Sequence, residues 1–134
     1  MTAGVEYRHN FPLNPVEVAR VFDASGINRP TADLARIAQM FAAPSLVISA
    51  WQNGHLVGVS RSLTDYCYCC YMSDLAVDRA LQGRGIGREL IRRTQAAIGD
   101  SVSLILWSAP GAKSYYPSVG FEQADNAFVI RRKK

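Results

Sequence analysis

Apolar residues recur along this chain with two periods, and the alternation between them lays out the elements. "VEYRH" (5–9) reads as a first strand. "NPVE" (14–17) opens a helix: Asn14 is the N-cap, Pro15 takes the first helical position and Glu17 is the reciprocal cap. Val18, Val21 and Phe22 supply its buried stripe, and Gly26 stops it. A second helix is expected from Thr31, with Leu34, Ile37, Ala38 and Phe41 at helical spacing and Pro44 at its end. "LVISAWQNGHLVGVSRSL" is two β-rich runs about Asn53-Gly54, the dipeptide of a type I′ hairpin. Asp65 marks another turn, before a long strand "YCYCCYMSDLAV" (66–77).

Three glycines follow, Gly83, Gly85 and Gly87, and then a helix whose buried face is Ile86, Leu90, Ile91, Thr94, Ala97 and Ile98, ending at Gly99. "VSLILW" (102–107) has the continuous apolar character of a strand buried on both faces. A short helix at about 111–116 and a closing strand pair around 120–132 complete the order β-α-α-β-β-β-α-β-α-β-β, an α/β mixed sheet.

The 134 residues are enough for one domain, 1–134, with a real core. No apolar run approaches the ~20 residues that span a bilayer. The N-terminal "MTAGVEYRHNF" lacks a signal-peptide layout, so a cytoplasmic location is expected. The cysteines, Cys67, Cys69 and Cys70, sit too close together to bridge, and His9 and His55 show no zinc-ligand spacing to them. Plain strand thiols and no metal are the expectation. The formal net charge is +4. Part of it is the terminal run Arg131, Arg132, Lys133 and Lys134, which reads as a solvated tail. The other cluster, Arg84, Arg88, Arg92 and Arg93, follows the glycines and suits a phosphate-bearing small molecule. No nucleic-acid module is recognisable.

A strand, a glycine loop and a helix start form a generic anion site. A P-loop would need Lys-Ser or Lys-Thr after its last glycine, whereas Gly87 precedes Arg88-Glu89. The Rossmann spacing puts its third glycine at Arg88. What the segment Gln82-Gly83-Arg84-Gly85-Ile86-Gly87 resembles is the Q/R-x-x-G-x-G/A signature of the GNAT superfamily of acyl-CoA-dependent N-acyltransferases, with "DLAV" (74–77) before it. "AKSYYPSVGF" (112–121) is similar to the family's A-x-x-[FY]-Y-x-x-x-G-F segment, in the right order.

The resemblance implies a largely antiparallel central sheet flanked by helices and acetyl-CoA as cosubstrate. The backbone of residues 82–87 would hold the coenzyme A pyrophosphate, with Arg84 and Arg88 placed for its phosphates. Arg92 and Arg93 belong to the solvated helix face. The strand amides of Leu75, Ala76 and Val77 would bind pantetheine, and the Val77 N–H would polarise the thioester carbonyl. Tyr116 would line the thiol site and protonate the leaving thiolate, although Pro117 can end the helix there and change its aim. Tyr115 is then a packing residue. Ala109 departs from the asparagine many relatives use to bond pantetheine.

Asp74 is the first candidate for general base, and backbone N–H groups at a strand bulge are an equal claim on it. Asp65, Glu6, His55 or a water chain are alternatives. The loop "SGINRPT" walls the acceptor pocket in relatives; its Arg29 offers a charge for a carboxylate or only aids solubility. The implied activity is acetyl transfer to a primary amine of a small molecule, with a homodimer compatible with it, and without nucleic acid or membrane. A protein or peptide amine, or a non-catalytic acyl-CoA sensor, are the alternatives.

Overall fold

The computed structural model describes residues 4–43 and 45–134, so Pro44 and the first three residues lie outside the described set. Five strands, β1 (Val5–His9), β2 (Leu46–Gln52), β3 (His55–Thr64), β4 (Cys69–Val77) and β5 (Ser103–Leu106), form one sheet in chain order. The first four run antiparallel; β4 and β5 run parallel, joined by helix α3 (Ile86–Ile98). Asn53 and Gly54 both take positive φ, 52° and 78°, as a type I′ turn requires.

The period-2 alternation sends β2 side chains to two different cores. Leu46, Ile48 and Ala50 join Ile86, Leu90 and Ile98 of α3 on one face. Val47 joins Val18, Val21, Phe22 and Ile37 on the other, beneath helices α1 (Pro15–Ser25) and α2 (Leu34–Ala42). Helix α1 begins as its sequence dictates, with the Asn14 side chain accepting from Val16 N–H and Gly26 closing it at φ 87°. Glu17 does not complete a capping box, because its carboxylate pairs with Arg20.

Two other boundaries differ from the sequence pattern. Helix α2 starts at Leu34 with Asp33 as cap, since the Thr31 hydroxyl is taken by the Asp23 carboxylate at 2.8 Å. Strand β4 starts at Cys69 rather than residue 66. Asp65 Oδ1 accepts the N–H groups of Cys67, Tyr68 and Cys69, winding those residues into a turn. The three bonds hold the Asp65 carboxyl far below the usual carboxylate range. Cys67 and Cys69 are exposed and Cys70 is buried, all unbridged.

Residues 119–134 contain no strand, where a closing pair was expected. Consequently β5 is an edge strand with Ile105 exposed, not a strand buried on both faces. The β-prone tail is correspondingly open, with Phe128 and Ile130 at 95% and 100% exposure. Arg131 does return to stack over the Trp107 ring, 4.5 Å from its centre. Helix α4 is Tyr115–Ser118, so it continues past Pro117, which its first turn accommodates. Among the described residues no helix is long and apolar enough to cross a membrane.

Candidate active site

The site begins with one extra residue in β4. Arg61 lies opposite Asp74 but Ser62 opposite Met72, which leaves Ser73 as a bulge. Beyond Met72, β4 keeps β3 beside it but not β5, which pairs only with Cys69–Met72. Residues 73–77 therefore line a gap between parallel strands.

The backbone aimed into that gap follows from the ladder. Asp78 N–H bonds Val57 carbonyl at 2.9 Å, and opposed residues in an antiparallel pair alternate between bonded and non-bonded. Ala76 is then bonded to Val59 opposite it, while Leu75 and Val77 turn their N–H and C=O away from β3. The Val77 carbonyl confirms the direction: it accepts the Gln82 Nε2 amide at 2.8 Å. The same amide reaches Ser25 carbonyl at the end of α1, so Gln82 ties the glycine loop to β4 and α1. The Leu75, Ala76 and Val77 side chains are core residues, as far as burial goes.

The glycines separate into two kinds. Gly83 and Gly85 take φ of 80° and 89°, which an L-residue with a side chain resists, and open space surrounds both. Gly87 is helical, but a Cβ there would stand 2.8 Å from the Tyr115 hydroxyl. Helix α3 has Gly85 as N-cap and no side-chain cap bond. Its first-turn amides thus lack an intrahelical acceptor and a capping oxygen, a setting in which an anion is stabilised. Arg84 is exposed beside them; Arg88, also exposed, extends to the Ser118 carbonyl at 3.5 Å. Arg92 and Arg93 instead close on Glu89 of the same helix, at 2.7 and 2.8 Å. Ile86, between the glycines, anchors the helix start in the core.

Against the start of α3, where the Tyr115 hydroxyl meets Gly87, helix α4 carries Tyr115 and Tyr116, their rings edge-to-face with centres 5.3 Å apart. Tyr116 packs in the same manner on Phe121, and its carbonyl takes the Val119 and Phe121 N–H groups, with Gly120 at φ 101° making that turn. Burial raises the Tyr116 phenol above its ordinary pKa, the neighbouring Tyr115 adds to the rise, and Arg29 offsets part of it. Tyr115 is raised too, again chiefly by burial, with Arg88 opposing.

Asp74 is not arranged as a free base. Its side chain is 0% exposed, and each oxygen holds a guanidinium: Oδ1 takes Arg29 Nε–H at 2.6 Å and Oδ2 takes Arg61 Nε–H at 2.5 Å. The same two arginines clamp the bulge, Arg29 through Ser73 carbonyl at 2.7 Å and Arg61 through Ser73 Oγ at 3.1 Å. Arg61, at 9% exposure, also lies over the Phe41 ring. The other acids are no better placed. Asp65 is bound into its turn, and Glu6, largely exposed, pairs with Arg8. His55 is exposed at the β2–β3 hairpin. Arg61 escaped the sequence reading because "VSRSL" looks like ordinary alternation; an arginine flanked by buried strand positions was the available signal. A cavity of about 420 Å³ lies elsewhere, beneath α2, lined by groups such as Phe11, Leu13, Ile37 and Phe41. Its described lining carries no titratable side chain. No described cluster of three His, Cys, Asp or Glu residues has the arrangement to hold a metal ion.

A parallel strand pair that opens at a bulge and feeds a glycine-led helix is the architecture of an acyltransferase fold. The chain belongs to the GNAT acetyltransferases: the family model described as "Acetyltransferase (GNAT) domain" matches residues 18–131. Solved structures agree in fold. A candidate acetyltransferase from Deinococcus radiodurans R1 superposes with a TM-score of 0.80 at 22% identity, over 97% of this chain and 90% of that one. A GNAT-family acetyltransferase from Streptococcus pneumoniae TIGR4 gives 0.71 at 18%, over 96% and 99%. The aminoglycoside N-acetyltransferase AAC(6')-Iy, solved with CoA, gives 0.68 at 15%, over 97% and 95%. No curated protein matches the sequence significantly.

Proposed function

We propose that this chain transfers an acetyl group from acetyl-CoA directly to a primary amine of a small molecule. The observation that carries this reading is the pair of backbone features at one end of β4. Leu75 and Val77 amides face the gap, and the uncapped start of α3 lies a few residues on, beyond open-space glycines. Together they suit an elongated substrate with a diphosphate at one end and a thioester at the other.

In this reading residues 82–87 bind the pyrophosphate through their N–H groups, with Arg84 and Arg88 adding charge-assisted bonds. The Leu75–Val77 backbone orients the pantetheine arm, and the Val77 N–H stabilises the charge that develops on the carbonyl oxygen. The neutral amine attacks the carbonyl carbon, forming the C–N bond as the C–S bond breaks. The amine's proton leaves to water, because the described carboxylates near the bulge are bound elsewhere. The Tyr116 phenol protonates the departing thiolate and recovers a proton from solvent; against an ordinary thiol pKa of ~8.5 the transfer is uphill, and burial of the phenol makes it more so. Asp74 is a positioning residue: with Arg29 and Arg61 it fixes the bulge that turns the amides.

Thiol release from acetyl-CoA, followed against a panel of small amines with N-acetyl product identified, tests the reading. Amine-dependent release supports it, and release without any acetylated amine contradicts it.

A further inference from the structure

The clamp on Asp74 leaves charge over. Two guanidiniums meet one carboxylate, so the bulge carries a net positive charge beside the gap. Arg61 is sealed in, but Arg29 is 26% exposed, on the loop between α1 and α2. A guanidinium has five N–H donors. Arg29 uses Nε–H on Asp74, one Nη2–H on Ser73 carbonyl and one Nη1–H on Asn28 carbonyl. Two remain, one on each terminal nitrogen, the number a bidentate carboxylate takes.

The surroundings do not cancel this charge. Asp23 and Asp33 on the flanking segments are exposed, where water screens them, and face the Thr31 hydroxyl and the Arg36 N–H. Asp78 is turned onto Ala80 N–H. Arg79 adds another cation at the end of α1, against Gly26. A polycationic acceptor would meet like charge here, which costs affinity.

We propose that the acceptor is a small amine bearing a carboxylate, gripped by the two remaining Arg29 N–H groups at the β4 bulge. This rests on the acyltransferase reading and narrows it. Arg29 is thereby both a clamp on the bulge and the specificity residue. The AAC(6')-Iy likeness extends to the fold and not to its cationic aminoglycoside substrates.

The test compares matched acceptors: amino acids of several chain lengths against their carboxamides, with phosphoethanolamine and an aminoglycoside alongside. Rates are compared at equal concentrations of neutral amine. One charge-assisted pair predicts an acid-to-amide kcat/KM ratio of about 10-fold or more. In Arg29→Gln the ratio should collapse towards one, and Arg29→Lys should keep part of it. The ratio is the readout because a general loss from a disturbed bulge affects acid and amide alike. Equal use of acid and amide, a preferred aminoglycoside, or phosphoethanolamine preferred over every carboxylate overturns the assignment. Calorimetric titration of the acid and amide pairs onto the protein is run in parallel. Should acetyl-CoA fail to bind, the transfer reading falls, and the titration alone decides: tighter acid binding, lost in Arg29→Gln, sustains the anion site, and equal binding removes it.

Discussion

The Tyr115 hydroxyl occupies the space where a side chain at Gly87 would begin, 2.8 Å from that point. Gly87 is thus explained by a neighbour on α4, whereas Gly83 and Gly85 are explained by their own backbone. Removing the hydroxyl leaves the ring carbon at 3.7 Å as the nearest contact, an ordinary distance. Gly87→Ala should therefore be better tolerated in a Tyr115→Phe background, by about 1 kcal/mol of coupling. A double-mutant cycle of denaturant unfolding measures it; simple additivity would show that the two residues do not meet.

Gly85→Val places a β-branched residue at φ 89°, a strain of about 1–2 kcal/mol. No atom beyond the chain neighbours lies within 4 Å of the Cβ position, so the fold should survive with a lowered Tm. The valine would, however, fill the approach to the first-turn amides. Calorimetry should find coenzyme A binding abolished in a variant whose circular dichroism is native. Unchanged affinity would remove the loop from the binding site.

Tyr116→Phe should lower kcat about 10²-fold, the lower end for general acid catalysis because a thiolate leaves readily, with acetyl-CoA affinity nearly unchanged. Tyr115→Phe is the control, and equal, small effects at both positions would exclude Tyr116 from the chemistry. The raised phenol pKa also sets a pH window. The folded state holds this proton more tightly than the unfolded chain does, so its contribution to stability is complete below pH ~10 and is lost as pH rises through the folded pKa. Tyr116→Phe should flatten that alkaline loss of stability, and activity limited by the phenol should fall only above pH ~10.

Asp74→Asn removes the shared partner of Arg29 and Arg61 and leaves a buried guanidinium uncompensated. Breaking such a buried pair costs about 3–5 kcal/mol, and the partial exposure of Arg29 favours the lower figure. A positioning role predicts a large fall in Tm, and residual activity whose pH profile keeps the wild-type midpoint. A general-base role predicts a near-native Tm and a pH profile that has lost its acidic limb.

Much of this was legible in the chain. Asn53-Gly54, the Asn14-Pro15 helix start and the stripe from Ile86 to Ile98 encode their elements locally, and each folds as its pattern predicts. The two GNAT motifs carried the family because they are short, ordered and tied to backbone geometry. The failures came from side-chain partners that hydrophobic periodicity does not register, some local and some distant. Thr31 lost its capping role to a carboxylate eight residues back, and Asp65 consumed the first turn of the long strand. Asp74 reads as a base because its partners, Arg61 and Arg29, are 13 and 45 residues away. The tail after Val119 has strand propensity in "FVI" but pairs with no strand, and propensity alone does not supply an edge to join.

The central claim is that one acetyl group passes from thioester to amine at the gap beside β4. Mass spectrometry of the products, with free thiol counted in the same reaction, tests it most directly. The account predicts one N-acetyl amine for each thiol released by the wild type, and neither product with Gly85→Val. Tight acetyl-CoA binding with no acetylated product from any amine would contradict it, and would mark the chain as an acyl-CoA sensor.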